Sequence, residues 1–222
     1  MTVAVVVPAA GAGARFGGGV PKALALLAGE PLLVHAVRAL RAAPSVVTVV
    51  VAAPAAHLGA VTALLAPYDV VVIAGGPTRQ DSVGLALAAL PPEVDLVLVH
   101  DAARCLAPTR VVEDVVAALR AGAGAVVPVL EVVDTLKRVD AAGQVRGTVD
   151  RAGLRIVQTP QGFARALLER AHAAGLDALT DDAGLVEALG APVLTIPGSD
   201  EGFKLTRPQD LLLAEAVLAG RS

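Results

Sequence analysis

Short runs of Val, Ile, Leu and Ala recur along the chain, separated by longer stretches rich in Ala and Leu. The runs at 3–8, 46–52, 70–73, 96–99, 125–129 and 193–196 are almost wholly apolar, as in strands buried on both faces. Stretches 31–42, 55–66, 82–90, 109–121, 163–174, 181–189 and 207–218 predict helices. Helix starts agree with capping chemistry. Pro108 stands before Thr109, and Thr180-Asp181-Asp182 puts a hydroxyl and two carboxylates ahead of an apolar run. Such alternation of strand and helix implies the α/β class: a mostly parallel, doubly wound sheet with helices on both faces. One domain over 1–222 is expected, because no internal repeat or low-complexity linker divides the chain.

One segment breaks the rhythm. Residues 131–153 are polar and charged, with alternation at 132–139 and again at 144–150. Between the halves, Asp140-Ala141-Ala142-Gly143 has the composition of a hairpin turn. An antiparallel β-arm projecting from the sheet is expected. Two strands alone are marginal in water, so the arm calls for a packing partner, such as a second subunit.

Composition removes several classes of function. Hydrophobic residues make up 55% of the chain, yet prolines at 44, 54, 67 and 77 interrupt its longest apolar region. Nowhere are there the roughly 20 uninterrupted apolar residues of a spanning helix. Met1 and Thr2 lead straight into valine, without the basic region of a secretory signal, so a soluble, cytoplasmic protein is expected. A net charge of −3 argues against a general nucleic-acid binder. The single cysteine, Cys105, allows neither an internal disulfide nor a cysteine-based zinc site.

Candidate chemistry lies where strands end. After the first strand the chain reads Pro8-Ala9-Ala10-Gly11-Ala12-Gly13-Ala14-Arg15-Phe16-Gly17-Gly18-Gly19-Val20-Pro21-Lys22. Small residues there let backbone N–H groups approach phosphate oxygens. The dinucleotide fingerprint fails because Phe16 occupies its third glycine, and the P-loop fails because Pro21 precedes Lys22 and Ala23 follows it. What remains is a glycine-rich loop bearing Arg15 and Lys22, suited to a triphosphate. Against fifteen arginines the chain keeps only Lys22, Lys137 and Lys204, which suggests positions where a compact ammonium is required. The fourth strand ends in Val99-His100-Asp101-Ala102-Ala103-Arg104, where ligands of open α/β sheets bind. Asp101 suits Mg²⁺ held by one carboxylate and substrate phosphates, whereas His100 and Cys105 read as packed residues. Further polar clusters are 75–82, Asp134-Thr135, Asp150-Arg151, Thr159-Pro160-Gln161 and 203–208.

With these segments assembled, the chain resembles the 2-C-methyl-D-erythritol 4-phosphate cytidylyltransferases of the non-mevalonate isoprenoid pathway. Matching segments are 8–22, 75–82, 100–104, 134–137, 150–153, 159–161, 180–181 and 204–210, in family order. The resemblance implies a Rossmann-like nucleotidyltransferase fold, Mg²⁺ dependence, and a homodimer joined through exchanged arms. It implies that Arg15 and Lys22 face the α-phosphate of CTP. Ala9, Ala10, Gly11 and Gly13, with Gly76 and Ser82, would read cytosine, and Asp101 and Ala102 would approach ribose and metal. Arg151, Lys204 and Thr135 would place the acceptor phosphate with Arg104 and Thr159, the arginine at 151 reaching in from the partner subunit. Three positions depart from the family pattern: Ala14 where a second basic residue is frequent, Pro77 where a polar residue is, and Cys105 where proline is. A ribitol or other polyol phosphate cytidylyltransferase shares these motifs. So does a nucleotidyltransferase using another base. A regulatory nucleotide-binding module would not need Lys204 and Arg151 beside Lys22.

Overall fold

The computed structural model describes residues 1–11, 21–175 and 180–221. In chain order its elements begin with β1 (Thr2–Pro8), the two-residue strands β2 (Leu26–Leu27) and β3 (Glu30–Pro31), α1 (Leu32–Arg41) and β4 (Val46–Ala53). There follow α2 (Leu58–Leu65), β5 (Val71–Ala74), α3 (Arg79–Ala88), β6 (Val94–Val99), α4 (Thr109–Arg120) and β7 (Ala125–Glu131). The hairpin strands β8 (Leu136–Val139) and β9 (Val145–Val149) precede β10 (Arg155–Val157) and β11 (Gln161–Ala164). The chain closes with α5 (Arg165–Ala173), α6 (Asp182–Ala188), β12 (Leu194–Pro197) and α7 (Asp210–Ala219).

Among the described residues, eight strands form the main sheet, in the order β10-β7-β11-β6-β1-β4-β5 with β12 added along β7. β6, β1, β4 and β5 run parallel, while β11 is antiparallel to both β6 and β7. The chain moves outward from β1 to β4 and β5, then returns to β6 on the other side of β1. That reversal opens a crevice at the carboxyl ends of β1 and β6, where such sheets bind ligands.

Period-two alternation along β1 assigns its two faces. Val3, Val5 and Val7 pack with Leu33, Val37 and Leu40 of α1 and Val112, Val115 and Val116 of α4. Ala4 and Val6 pack on the other side with Val83 and Ala86 of α3, Leu168 of α5 and Leu185 of α6. A smaller cluster of Leu27, Leu32, Cys105, Leu106, Leu205 and Ala214 seats α7 beside the crevice.

The apolar runs predicted six strands to within two residues, but several helix starts shift: those expected at 55 and 207 begin at Leu58 and Asp210. The helix expected at 163–174 begins at Arg165, because Phe163 lies in β11. This strand is wedged between β6 and β7 under α4: a Cβ on Gly162 would lie 2.4 Å from Val115 Cγ1. The helix expected at 82–90 begins at Arg79, and Ser82 therefore sits inside its first turn. The hairpin of β8 and β9 forms as the alternation predicted, and among the described residues its strands pair only with each other. Asp140 makes the turn by accepting from the backbone N–H groups of Ala142 and Gln144.

Candidate active site

The crevice is built from four loops meeting at strand ends. Ala9 leaves β1 with its N–H bonded to Ala52 O at 2.8 Å, and Gly75 leaves β5 bonded to Ala53 O at 2.7 Å. These two exits touch, since a Cβ on Gly75 would lie 2.5 Å from Ala10 Cβ; the next glycine lies against α3, where a Cβ on Gly76 would be 2.4 Å from Asp81 Cβ. Only glycine permits that approach. Thr78 then caps α3 in a reciprocal box with Asp81. Ser82 Oγ donates to Thr78 O at 2.9 Å and accepts from Gly76 N at 3.1 Å. Its hydroxyl thus ties down the paired-glycine loop.

From the fourth strand, Asp101 enters the cleft. Its N–H donates to Thr159 Oγ1 at 3.0 Å, and that hydroxyl shares a hydrogen bond of 3.1 Å with His100 Nδ1. One carboxylate oxygen accepts from Arg79 Nε at 3.2 Å and the other from Lys204 Nζ at 2.6 Å. Burial alone would push this carboxyl up. The charges of Arg79 and Lys204, with the lysine hydrogen bond, outweigh burial and hold it well below the usual carboxylate range. Burial acts unopposed enough on His100 to pull it down to about 4, so the imidazole is neutral and structural, as its position suggested. Cys105 is buried and pushed up to about 12, a core filler rather than a nucleophile. Lys204 owes its place to its neighbour: Leu205 N–H donates to Ala103 O at 2.9 Å and its side chain is fully buried.

Of the predicted site residues, the structure gathers Ala9, Ala10, Gly11, Lys22, Ser82, Asp101, Ala102 and Lys204 around one cleft. Arg104 and Thr159 line an adjoining polar pocket that shares Arg79, Asp101 and Lys204 with it. Arg104 donates to Gly202 O at 2.8 Å and Val157 O at 3.0 Å, while its Nε is buried with no hydrogen-bond partner among the described residues. Gly76 lines neither pocket, and its N–H donates to the Ser82 hydroxyl that lines the first. Gly13 and Arg15 lie outside the described residues. Thr135 and Arg151 are not brought to this cleft: Thr135 is exposed beside β8, and Arg151 lines a separate surface pocket with Glu131 and Arg155. Arg79 was visible in the sequence only as part of a polar loop, yet it forms a wall common to both pockets. An arginine at the first position of a helix opening on strand ends was the available signal.

Among the described residues, no group of three or more His, Cys, Asp or Glu could hold a metal on its own. Asp101 nevertheless fits a divalent cation bound in substrate complex. It is ionised, and each oxygen keeps a lone pair beyond its bond to Arg79 or Lys204.

A topological switch carrying glycine-lined backbone, cleft-facing lysines and an ionised aspartate is the equipment of a nucleotidyltransferase, and the chain is an enzyme of that class. The sequence model of the 2-C-methyl-D-erythritol 4-phosphate cytidylyltransferases matches residues 3–220. A relative of that name from Frankia casuarinae is 57% identical, over 98% of this chain and 81% of its own. One from Saccharopolyspora erythraea is 56% identical over 99% and 100%. The solved structure of the Thermus thermophilus enzyme of that name is 40% identical, with a TM-score of 0.80 over 99% of this chain and 100% of that one. The chain belongs to the 2-C-methyl-D-erythritol 4-phosphate cytidylyltransferase family.

Proposed function

We propose that this chain transfers CMP from CTP to 2-C-methyl-D-erythritol 4-phosphate, giving 4-diphosphocytidyl-2-C-methyl-D-erythritol and pyrophosphate. The observation that carries the reading is the convergence of Lys22 and Lys204 on the cleft that holds the Asp101 carboxylate, at the switch of a parallel sheet. A phosphate oxygen of the acceptor attacks the α-phosphorus of CTP in line. The new P–O bond forms as the bond from the α-phosphorus to the bridging oxygen breaks, and pyrophosphate leaves with that electron pair. The nucleophile is already an anion, so no general base is needed.

The protein's task is then to gather anions that repel one another. Alignment of two reactants can lower a barrier by about 7–11 kcal/mol. Each cation fixed where charge develops contributes a further ~2.7–4 kcal/mol, by analogy with oxyanion donors. Lys22 and Arg15 serve the α-phosphate, while Lys204, Arg104 and Thr159 serve the acceptor. Backbone at Ala9, Ala10, Gly11 and Gly13, with Gly76 and Ser82, reads the base, and Ala102 borders the ribose. Asp101 would hold Mg²⁺, which when bound neutralises phosphate charge. Thr135 and Arg151 lie on the hairpin and complete the acceptor pocket of a partner subunit in a homodimer with exchanged arms, 131–153 being the exchanged segment. Among the described residues no helix is long and apolar enough to cross a membrane, in keeping with a cytoplasmic enzyme.

The test is pyrophosphate release with each of the four nucleoside triphosphates against methylerythritol phosphate and ribitol phosphate. CTP with methylerythritol phosphate should be turned over fastest. Equal or greater turnover with ribitol phosphate would reassign the acceptor, and CTP binding without any release would leave only a binding module.

A further inference from the structure

The groups facing the cleft are not held by the cleft alone. Arg79, at the first position of α3, reaches Asp101 with Nε and Asp182 with Nη1, at 3.2 and 2.7 Å. Asp182, at the first position of α6, is 1% exposed, and its other oxygen accepts from His172 Nε2 of α5 at 2.9 Å. A continuous chain of hydrogen-bonded side chains therefore runs Lys204, Asp101, Arg79, Asp182, His172. Its cleft end touches both pockets, whereas Asp182 and His172 line neither of them.

We propose that Arg79 is a positioning residue that fixes the Asp101 carboxylate, and through it Lys204, in the arrangement cytidylyl transfer uses, with Asp182 and His172 bracing it from behind. The inference rests on the reading of Asp101 and Lys204 as substrate-facing groups. A guanidinium can do this because its donors sit at fixed places on one planar fork, so two acids are bridged with their separation set. Without the bridge, Asp101 would retain Lys204 as its hydrogen-bonded cation and would be free to turn toward it. The ammonium would then be drawn onto the carboxylate and away from an incoming phosphate. Loss of Asp182 would have a weaker form of the same effect, because Arg79 would no longer be anchored at its far end. A purely structural ion pair predicts something else: a less stable protein whose folded fraction works normally.

The experiment compares Arg79→Gln, Arg79→Lys, Asp182→Asn and the Arg79→Gln/Asp182→Asn double variant. It reads kcat and acceptor KM on the folded fraction, together with Tm. Arg79→Gln is expected to lower kcat/KM for the acceptor by about 10- to 100-fold, the usual effect of removing an outer-shell partner. Arg79→Lys should not restore it, since one ammonium cannot span both acids. Asp182→Asn should lose less, and the double variant should be no worse than Arg79→Gln alone, because the acid acts through the arginine. Values of kcat/KM within about twofold of wild type in both single variants, with a lowered Tm, would overturn the proposal, as would losses that multiply in the double variant. Should Arg79→Gln fail to fold, Asp182→Asn with Arg79→Lys decides by the same criteria. Asp101→Asn and Lys204→Ala are run alongside. If both stay active, the reading of the cleft itself falls; if they are inactive while the Arg79 and Asp182 variants are not, only the bracing role falls.

Discussion

The crevice between β1 and β6 and the β8–β9 hairpin both carry predicted site residues, but they hold them by opposite means. In the crevice, Asp101 has a side chain only 13% exposed and ties to Arg79, Lys204 and Thr159. In the hairpin, Lys137 donates to Thr148 and Arg146 pairs with Asp140 on the surface, while Val133, Val139 and Val145 are left exposed. Buried ionic contacts keep groups in place at high desolvation cost and tolerate little change, whereas exposed ones contribute little. Contacts within one chain hold Asp101 and Lys204, whereas Thr135 and Arg151 stand exposed, without buried surroundings of their own. A partner that covers the hairpin's apolar residues would give them such surroundings.

The largest expected effect belongs to the crevice. Lys22→Ala should cut kcat by about 100- to 1,000-fold with an unchanged melting curve, and Lys22→Arg should not rescue it. Steady-state pyrophosphate release measures this, and turnover near wild type would remove Lys22 from the mechanism.

Next comes acid sensitivity. His100 is held down to about 4 from 6.5 by burial, so the unfolded chain takes up a proton that the folded one refuses between those values. Stability therefore falls as pH drops from 6.5 to 4, by up to about 3 kcal/mol from this group. Denaturant titrations should show His100→Gln to have a flatter slope across that window; an identical slope would mean that the imidazole is not the group responsible.

The exposed half should respond more mildly and in a different parameter. Arg151→Ala should raise acceptor KM by about 10- to 100-fold, the loss of a charged hydrogen bond, with CTP affinity unchanged. Mixing Arg151→Ala subunits with Lys22→Ala subunits should recover activity, because one site of each mixed dimer then has both groups. No recovery after subunit exchange has been verified would break the division between half-sites.

Most of the sheet was legible because strands buried on both faces leave a continuous apolar run, and the runs at 3–8, 96–99 and 125–129 could hardly be placed elsewhere. Phe163 falls in a strand rather than in the expected helix because Gln161-Gly162-Phe163-Ala164 lacks a periodicity of its own. It becomes a strand through hydrogen bonds to β6 and β7. The start of α3 is expected three residues too late, although Thr78-Arg79-Gln80-Asp81 carries the spacing of a capping box, a signal local to the sequence. Asp101 is conspicuous as a charge at the end of an apolar run, and Lys204 as one of only three lysines. That they touch is not written locally, for 103 residues separate them.

By itself, then, the sequence determined the class of fold, the positions of the strand-end loops and the residue types able to handle phosphates, because apolar period, glycine and charge act over a few neighbours. Tertiary structure alone decided which of those groups converge. It set Arg79 between two acids from distant elements, placed Thr159 under Asp101, and left Arg151 outside the cleft of its own chain. The physical reason is that ion pairs and packing act over a few ångströms in space, whatever the distance along the chain.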